Sequence, residues 1–277
     1  MEKAPERCIL CRTPERELLL RKGPWTVFRC IKCEFGFLDP RPSEDEIEGL
    51  YQSGYFSERY DKGLTPDSVG YKRRLSGETH RTQFIRKVKR SGHLLDVGCG
   101  YGYFLAASRE AGYHAEGLDV SAWAAGHAIE KLDLPVTIGK LKDISFPSHT
   151  FDIITMWHSL EHNPDPHLAL DKITSWLKKD GILVIDVPNY KSTDAQTLWE
   201  EWDGWSLPYH FWHFTSQSLT RLLSQHGLKI IRSKDYHSEV VKERLRRMPF
   251  TRPFARLTAK MYSGTSIAVI SKFQNEA

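Results

Sequence analysis

"HLLDVGCGYGYF", residues 93–104, decides the fold: a short apolar run ends in an acid, Asp96, and is followed by glycines at 98, 100 and 102. A run this short, bounded by glycines, reads as a buried strand entering a tight turn before the next helix. Glycines in such a turn let backbone approach a ligand closely. A dinucleotide fingerprint needs its third glycine at 103, where Tyr103 stands, and no GK[ST] follows to make a phosphate loop. Asp96 also places a carboxylate where a pyrophosphate would be repelled. A cationic or zwitterionic ligand is favoured instead.

Outward from the turn, strand-like and helix-like stretches alternate. Strands are expected at 93–97, 114–120, 135–139, 151–157, 181–188, 228–236 and 266–273, and helices at 103–111, 121–132, 166–178 and 216–226. Repeated βα units imply an α/β fold with a doubly wound, mostly parallel seven-stranded sheet and ligands at the carboxyl ends of its strands. Asp119 ends the second strand, where an acid accepts hydrogen bonds from ribose hydroxyls. S-adenosylmethionine carries an ammonium, a sulfonium and a ribose but no phosphate, so it fits this pair of acids.

The stretches "LLDVGCGYGYF", "GLDVS", "FDIITMWHSLEHNPDP", "GILVIDVPN" and "FTSQSLTRLLSQHGL" make residues 93–273 resemble the class I S-adenosylmethionine-dependent methyltransferases, a Rossmann-like fold. The head of the chain, with "LDPRPSEDEIEGLYQSGYF", resembles the branch that modifies sugars, glycans and other small metabolites. The resemblance implies that Asp96, Gly98, Cys99 and Gly100 line the methionine part of the cofactor. It places Asp119 and Val120 at the ribose and Trp157 and His158 beside the sulfonium, with Asp143 or the backbone of Leu141 as alternatives near the adenine. Lys140 stands where the family often has an adenine-contacting acid, so the adenine side departs from the pattern.

Four of the five cysteines form two pairs, Cys8-x2-Cys11 and Cys30-x2-Cys33. Two such knuckles offer four thiolates to one Zn²⁺, and a Gly-Pro turn between β-compatible runs supplies a ribbon's hairpin. Disulfides and a redox CxxC are the rival readings. With all four positions filled by Cys the zinc is expected to be structural. The expected organisation is a zinc ribbon at 1–40, a helical linker and lid at 41–92, and the catalytic domain at 93–277 with a substrate loop at 190–214 and a basic insertion at 240–262. A capping box at Ser43 and Glu46 opens a linker helix, and Tyr51, Tyr55, Phe56 and Tyr60 fall near helical spacing within it.

Methyl transfer to a hydroxyl or carbon acid needs positioning and a base. Two clusters offer one: His158, Glu161 and His162 after the fourth strand, and His210 with His213 in "GWSLPYHFWHFTS". The first resembles the E-x2-E-H of the ubiquinone-biosynthesis O-methyltransferases, with His158 in place of an acid, and could hold a divalent metal or pin its loop. In the second, "PYH" resembles the Glu-His pair of zinc-headed sugar C-methyltransferases, with Tyr209 replacing the acid. His210 is the leading base. Trp199, Trp202, Trp205 and Trp212 crowd this loop and are read as stacking on a sugar or planar acceptor, with a minor core as the rival. Cys99 reads as a small buried residue rather than a nucleophile.

At 277 residues, 27% charged and 40% hydrophobic, the composition is that of a soluble enzyme, and the start MEKAPERC, without a charged-then-apolar leader, suggests the cytoplasm. Between Val240 and Tyr262 seven Lys or Arg face one acid, so the net charge of +4 is a local +6 against −2 elsewhere. Three functions follow. The leading one is methyl transfer to oxygen or carbon of a small-molecule acceptor, a sugar, nucleotide-sugar or glycan precursor. RNA methylation is the first alternative, resting on the ribbon and the basic segment, although nucleic acid is not the expected partner of a chain whose remainder carries −2. A fold that binds without catalysis is the second. The basic segment also suits a membrane surface or a lipid-linked acceptor.

Overall fold

A computed structural model describes residues 1–43, 46, 49 and 64–274 of the chain. Its main sheet has seven strands in the order β10-β11-β8-β7-β4-β5-β6. These are β4 (His93–Val97), β5 (His114–Asp119), β6 (Val136–Ile138), β7 (Phe151–Trp157), β8 (Leu177–Pro188), β10 (Leu228–His237) and β11 (Ser263–Phe273). All neighbours pair in parallel except β11, which runs antiparallel to both β8 and β10. Parallel strands are covered on both faces, which is why they read as unbroken apolar runs. Leu94, Leu95, Ile153, Ile154 and Ile182 to Ile185 are all fully buried. Each such side chain contributes about 1.5–3 kcal/mol by leaving water.

Helices α1 (Tyr71–Arg86), α2 (Tyr103–Glu110), α3 (Ala122–Leu132), α4 (Pro166–Trp176), α5 (Thr193–Leu198) and α6 (Ser216–Gln225) fill the connections. Their starts obey local rules. The side chains of Ser121, Asp165 and Thr215 accept backbone N–H bonds at the first turns of α3, α4 and α6, and Pro166 opens α4. α4 ends two residues before its expected limit because β8 begins at Leu177, which pairs with Phe151. The reciprocal Ser43–Glu46 contacts of the expected capping box are present, at 2.8 Å from the Ser43 N–H to the Glu46 carboxylate. The helix proposed to follow it, with Tyr51, Tyr55, Phe56 and Tyr60, lies outside the described residues.

The N-terminal segment folds as a second, antiparallel sheet of β1 (Arg16–Lys22), β2 (Trp25–Cys30) and β3 (Gly36–Leu38), turning at Gly23-Pro24 as a ribbon hairpin requires. Its fourth strand comes from far along the chain. β9 (Trp212–His213), in the stretch expected to be a substrate loop, pairs with β3 through Gly36 opposite His213 and Phe37 opposite Trp212. The ribbon consequently shares one core with the main sheet, in which Leu10, Val27 and Phe35 belong with Ile154, Trp176, Trp205 and Phe214. Phe35 stacks on Trp212 at 5.4 Å between ring centroids and meets Phe214 edge-on at 5.2 Å.

Gly36 is where this joint is tightest. A Cβ there would come within 2.8 Å of the His213 Cβ. Gly36→Ala is therefore expected to lower stability by about 1–3 kcal/mol, read as a fall in the denaturation midpoint of the full chain. An unchanged midpoint would mean that the β3–β9 pairing can shift without cost.

Candidate functional site

The strand ends converge on one edge of the sheet. Asp96, near the carboxyl end of β4, is buried and accepts a bond of 2.6 Å from the Thr155 hydroxyl of β7. Burial pushes its pKa up to about 7, with the Thr155 bond and the Arg81 charge pulling the other way. The turn that follows is held by the next strand: Gly98 N–H donates to the Leu118 carbonyl at 2.7 Å, and Gly100 N–H donates to the Asp119 carboxylate at 2.7 Å. Gly98 sits at φ +82°, and a Cβ there would meet the Ser159 hydroxyl at 2.5 Å. Only glycine fits that position.

Asp119 ends β5 and also accepts from Ser121 N–H at 2.8 Å. Its pKa is raised by burial and restrained by these backbone bonds. Cys99 is buried, and desolvation with the Asp119 and Asp96 charges raises its thiol well above the ordinary value, so it stays protonated and unreactive. Val120 is exposed beyond β5, and Leu141 packs at the rim of the core. Trp157, last in β7, meets Phe104 edge-on at 5.4 Å, while its indole N–H has no hydrogen-bond partner among the described residues. Two buried carboxylates flanking a glycine turn suit an ammonium and ribose hydroxyls, so the donor set fits S-adenosylmethionine and opposes a pyrophosphate.

Behind this edge lies a charged group that the sequence reading missed. Arg81 of α1 stands 5.0 Å over the Trp157 ring and pairs at 2.9 Å with Glu78, which is itself buried. Asp186 of β8 is buried and accepts from the Tyr236 hydroxyl at 2.8 Å. An acid inside the apolar run of a doubly covered strand was the available signal for Asp186. Arg81 and Glu78 gave none, because α1 carries charges on all sides.

His158 follows β7 at φ +52°, a strained position for a non-glycine residue. Its Nδ1 is 3.5 Å from Glu161 and its Nε2 3.8 Å from Asp186. Burial alone would lower the imidazole pKa, but the Asp186 and Glu161 carboxylates outweigh it and raise it. Glu161 is fully buried, and neither carboxylate oxygen has a hydrogen-bond partner among the described residues. His210, from the loop after α5, brings Nε2 to 4.0 Å from Glu161, and its ring stands perpendicular to that of His162 at 4.6 Å.

The two clusters separated in sequence thus become one. The donor atoms of Glu161, His162 and His210 lie within 4.8 Å of one another, with His210 rather than His158 completing the set. Such a set can take up a proton or hold a cation. Tyr209 is half-buried on the same turn, its N–H bonded to the Ser206 carbonyl at 2.8 Å. His213 stands apart: buried against Trp205 at 5.1 Å, it is pushed well below the ordinary histidine pKa by desolvation and by His210.

The expected stacking platform is corrected by the packing. Trp202, Trp205 and Trp212 are at most 4% exposed and fill the core between ribbon and body, so these rings face protein rather than an acceptor. At the ribbon, Cys8 and Cys33 sulfurs lie 3.5 Å apart, Cys11 and Cys30 3.3 Å apart, and all four lie within 4.8 Å. These separations exceed an S–S bond of about 2.05 Å and suit the edges of a thiolate tetrahedron around zinc. The Cys8 thiol is lowered to about 5, chiefly by its contact with Cys33.

The profile of the methyltransferase-domain family matches residues 71–233 of the chain. "Probable methyltransferase ltbC" of Aspergillus luteorubrus is 28% identical over 165 residues, which cover 50% of this chain and 57% of that protein. A "Ubiquinone biosynthesis O-methyltransferase" of Haemophilus ducreyi is 34% identical over 107 residues, covering 35% of this chain and 45% of its own length. The chain spans about half the length of the curated relatives it matches. The crystal structure of a SAM-dependent methyltransferase from Archaeoglobus fulgidus is similar in fold, with a TM-score of 0.55 and 21% identity over 72% of this chain and 94% of that one.

Asp96 generates a pH prediction. Its carboxyl, at about 7 when free, must ionise to hold an ammonium, so binding of S-adenosylhomocysteine is expected to release a proton near neutrality. Affinity should then fall by up to about tenfold per pH unit below 7, with heats that differ between buffers of different ionisation enthalpy. Asp96→Asn should weaken binding and flatten the profile. Affinity independent of pH between 6 and 8 would remove Asp96 from the ammonium site.

Proposed function

Because the chain belongs to the methyltransferase-domain family, we propose that it transfers the methyl group of S-adenosylmethionine to an oxygen or carbon of a small-molecule acceptor. The observation that carries this reading is the convergence of Glu161 with His158 and His210 beside the edge formed by Asp96 and Asp119. S-adenosylmethionine supplies an already activated methyl group. Asp96 would hold its ammonium, Asp119 its ribose hydroxyls, and the backbone of Gly98 and Gly100 its close approach to the turn.

What remains for the protein is to seat the acceptor and remove its proton. The Nδ1 of His210 lies 2.9 Å from the Gly204 carbonyl, which can only accept, so Nδ1 carries the proton and Nε2 is the basic nitrogen. A proton taken by Nε2 leaves an imidazolium 4.0 Å from the Glu161 carboxylate. That carboxylate accepts no hydrogen bond among the described residues and has His158 Nδ1 as its other ionic neighbour at 3.5 Å, so it is poised to stabilise the charge. His158 is the more accessible imidazole of the group, with 39% of its side chain exposed. It directly follows the end of β7 and would face the acceptor.

An oxygen acceptor is supported by the O-methyltransferase name of the Haemophilus ducreyi relative. Among acceptor classes we favour a sugar, nucleotide-sugar or glycan precursor, on the resemblance of the four-cysteine head and the segment after it, and not on the buried tryptophans. The four cysteines would hold a structural zinc. Metal analysis is expected to find one zinc per chain, lost on Cys8→Ser and Cys33→Ser substitution, and a metal-free chain of full stability would contradict the assignment.

Labelled S-adenosylmethionine offered with panels of sugar nucleotides, phenols and RNA tests the acceptor. With the acceptor found, His210→Gln and Glu161→Gln are each expected to lower kcat by about 10²–10⁴ while leaving S-adenosylhomocysteine affinity unchanged. Because a protonated His158 would face the acceptor with a positive charge, the rate should also rise with pH through the raised His158 ionisation. Glu161→Gln removes a carboxylate that favours the imidazolium, so it should move that limb to lower pH. Variants with wild-type kcat and an unmoved limb would take the base out of this cluster.

A further inference from the structure

Between β10 and β11 the chain makes an excursion whose base is pinned and whose outer face is not covered. Ser238 donates its N–H to the Tyr262 carbonyl at 2.9 Å, closing the loop, and its hydroxyl bonds the buried Asp194 of α5. Within it lie the helices α7 (Glu239–Arg246) and α8 (Ala255–Ala259), the latter anchored by fully buried Ala255 and Ala259. The other side of α8 and its flanks shows Phe250 at 93% exposure, Phe254 at 62%, Leu257 at 68% and Met261 at 81%. Four large apolar side chains grouped this way on one short segment are unusual for a surface that meets only water.

Charge surrounds them. Lys242 pairs with Glu239, and Arg246 pairs with Glu243 at 2.9 Å. Arg244, Arg247, Arg252, Arg256 and Lys260 are exposed and have no acidic partner among the described residues. Cations around exposed rings complement a surface that is anionic above and apolar beneath, which is the profile of a bilayer containing acidic lipid. A nucleic acid would use the cations and stack bases on Phe250 and Phe254, but would leave Leu257 and Met261 in water.

Position adds the functional sense. Ser266 of β11 pairs with Pro188 at the end of β8, so the excursion lies at the carboxyl edge of the parallel strands, the edge that also carries Asp96, Asp119 and Asp186. No described helix is long and apolar enough to cross a membrane, so the contact would be peripheral. We infer that residues 239–262 form a docking platform for an anionic lipid bilayer, with Phe250, Phe254, Leu257 and Met261 entering the interface and the unpaired arginines contacting headgroups. The platform would hold the site edge beside the membrane, where an apolar or lipid-linked acceptor is concentrated.

The test is co-sedimentation of the full chain with phosphatidylcholine vesicles, with and without 30% phosphatidylglycerol, over rising NaCl, beside binding of a labelled single-stranded RNA. Binding is expected with the anionic vesicles only, weakening with salt. Phe250→Ser with Phe254→Ser, and separately Arg252→Glu with Arg256→Glu, should each weaken it by about tenfold or more. Both pairs are exposed and none of the four residues is among those assigned to the cofactor, so melting temperature and S-adenosylhomocysteine affinity should not change. Should a double variant fail to fold, Phe250→Ser alone is expected to give a smaller loss of the same sign. Equal partition to neutral and anionic vesicles, no partition at all, or RNA binding that survives the phenylalanine changes alongside unchanged vesicle binding would each overturn the proposal.

Discussion

The pairing of β3 with β9 is the constraint on which the rest of the structure depends. Two residues from the ribbon and two from the loop after α5 form the joint, and Gly36 permits it by bringing backbone against His213 where any side chain would collide. From there the bonds run inward. Leu38 N–H donates to the Phe211 carbonyl at 2.9 Å, and Phe211 N–H donates to the Glu161 carbonyl at 3.0 Å. The cysteine head, the loop bearing His210 and the turn bearing Glu161 are therefore stitched by main-chain bonds into one unit. The ribbon has a structural task inside the site's architecture, independent of any contact with an acceptor.

Burial then sets the electrostatics. Asp96, Asp119, Glu161 and Asp186 are all at most 6% exposed and stand near one edge of the sheet, an arrangement that costs free energy wherever a carboxylate lacks a partner. Asp119 is satisfied by backbone, Asp186 by Tyr236, and Asp96 by Thr155. Glu161 is the exception, and its neighbours are imidazoles. In the proposed reaction, a buried carboxylate without hydrogen bonds, facing bases that can become cations, would stabilise a proton in transit.

Much of the fold was legible because its signals are local. Parallel strands covered on both faces leave apolar runs, the acid and glycines of residues 96–102 mark the turn, and the cysteine pairs mark a ribbon. The β3–β9 joint left no trace, since a strand of two residues has no periodicity. The tryptophans of residues 199–212 were visible, but a ring that stacks on a ligand and one that fills a core look alike in composition. The burial of Trp212 against Phe35 was decided by a contact between segments far apart in the chain. The candidate base residues were legible by type and position, whereas the union of His210 with Glu161 depended on that same tertiary contact.

Native-state hydrogen exchange of the full chain over increasing denaturant tests the central claim most directly, because it resolves which amides open together. The amides of Leu38 and Phe211 should open in the same step as each other, and no more easily than Ile154 in the main sheet. Exchange of the ribbon, Leu38 included, at lower denaturant while Phe211 stays protected would show that the head is an independent appendage and that the loop bearing His210 is placed without it.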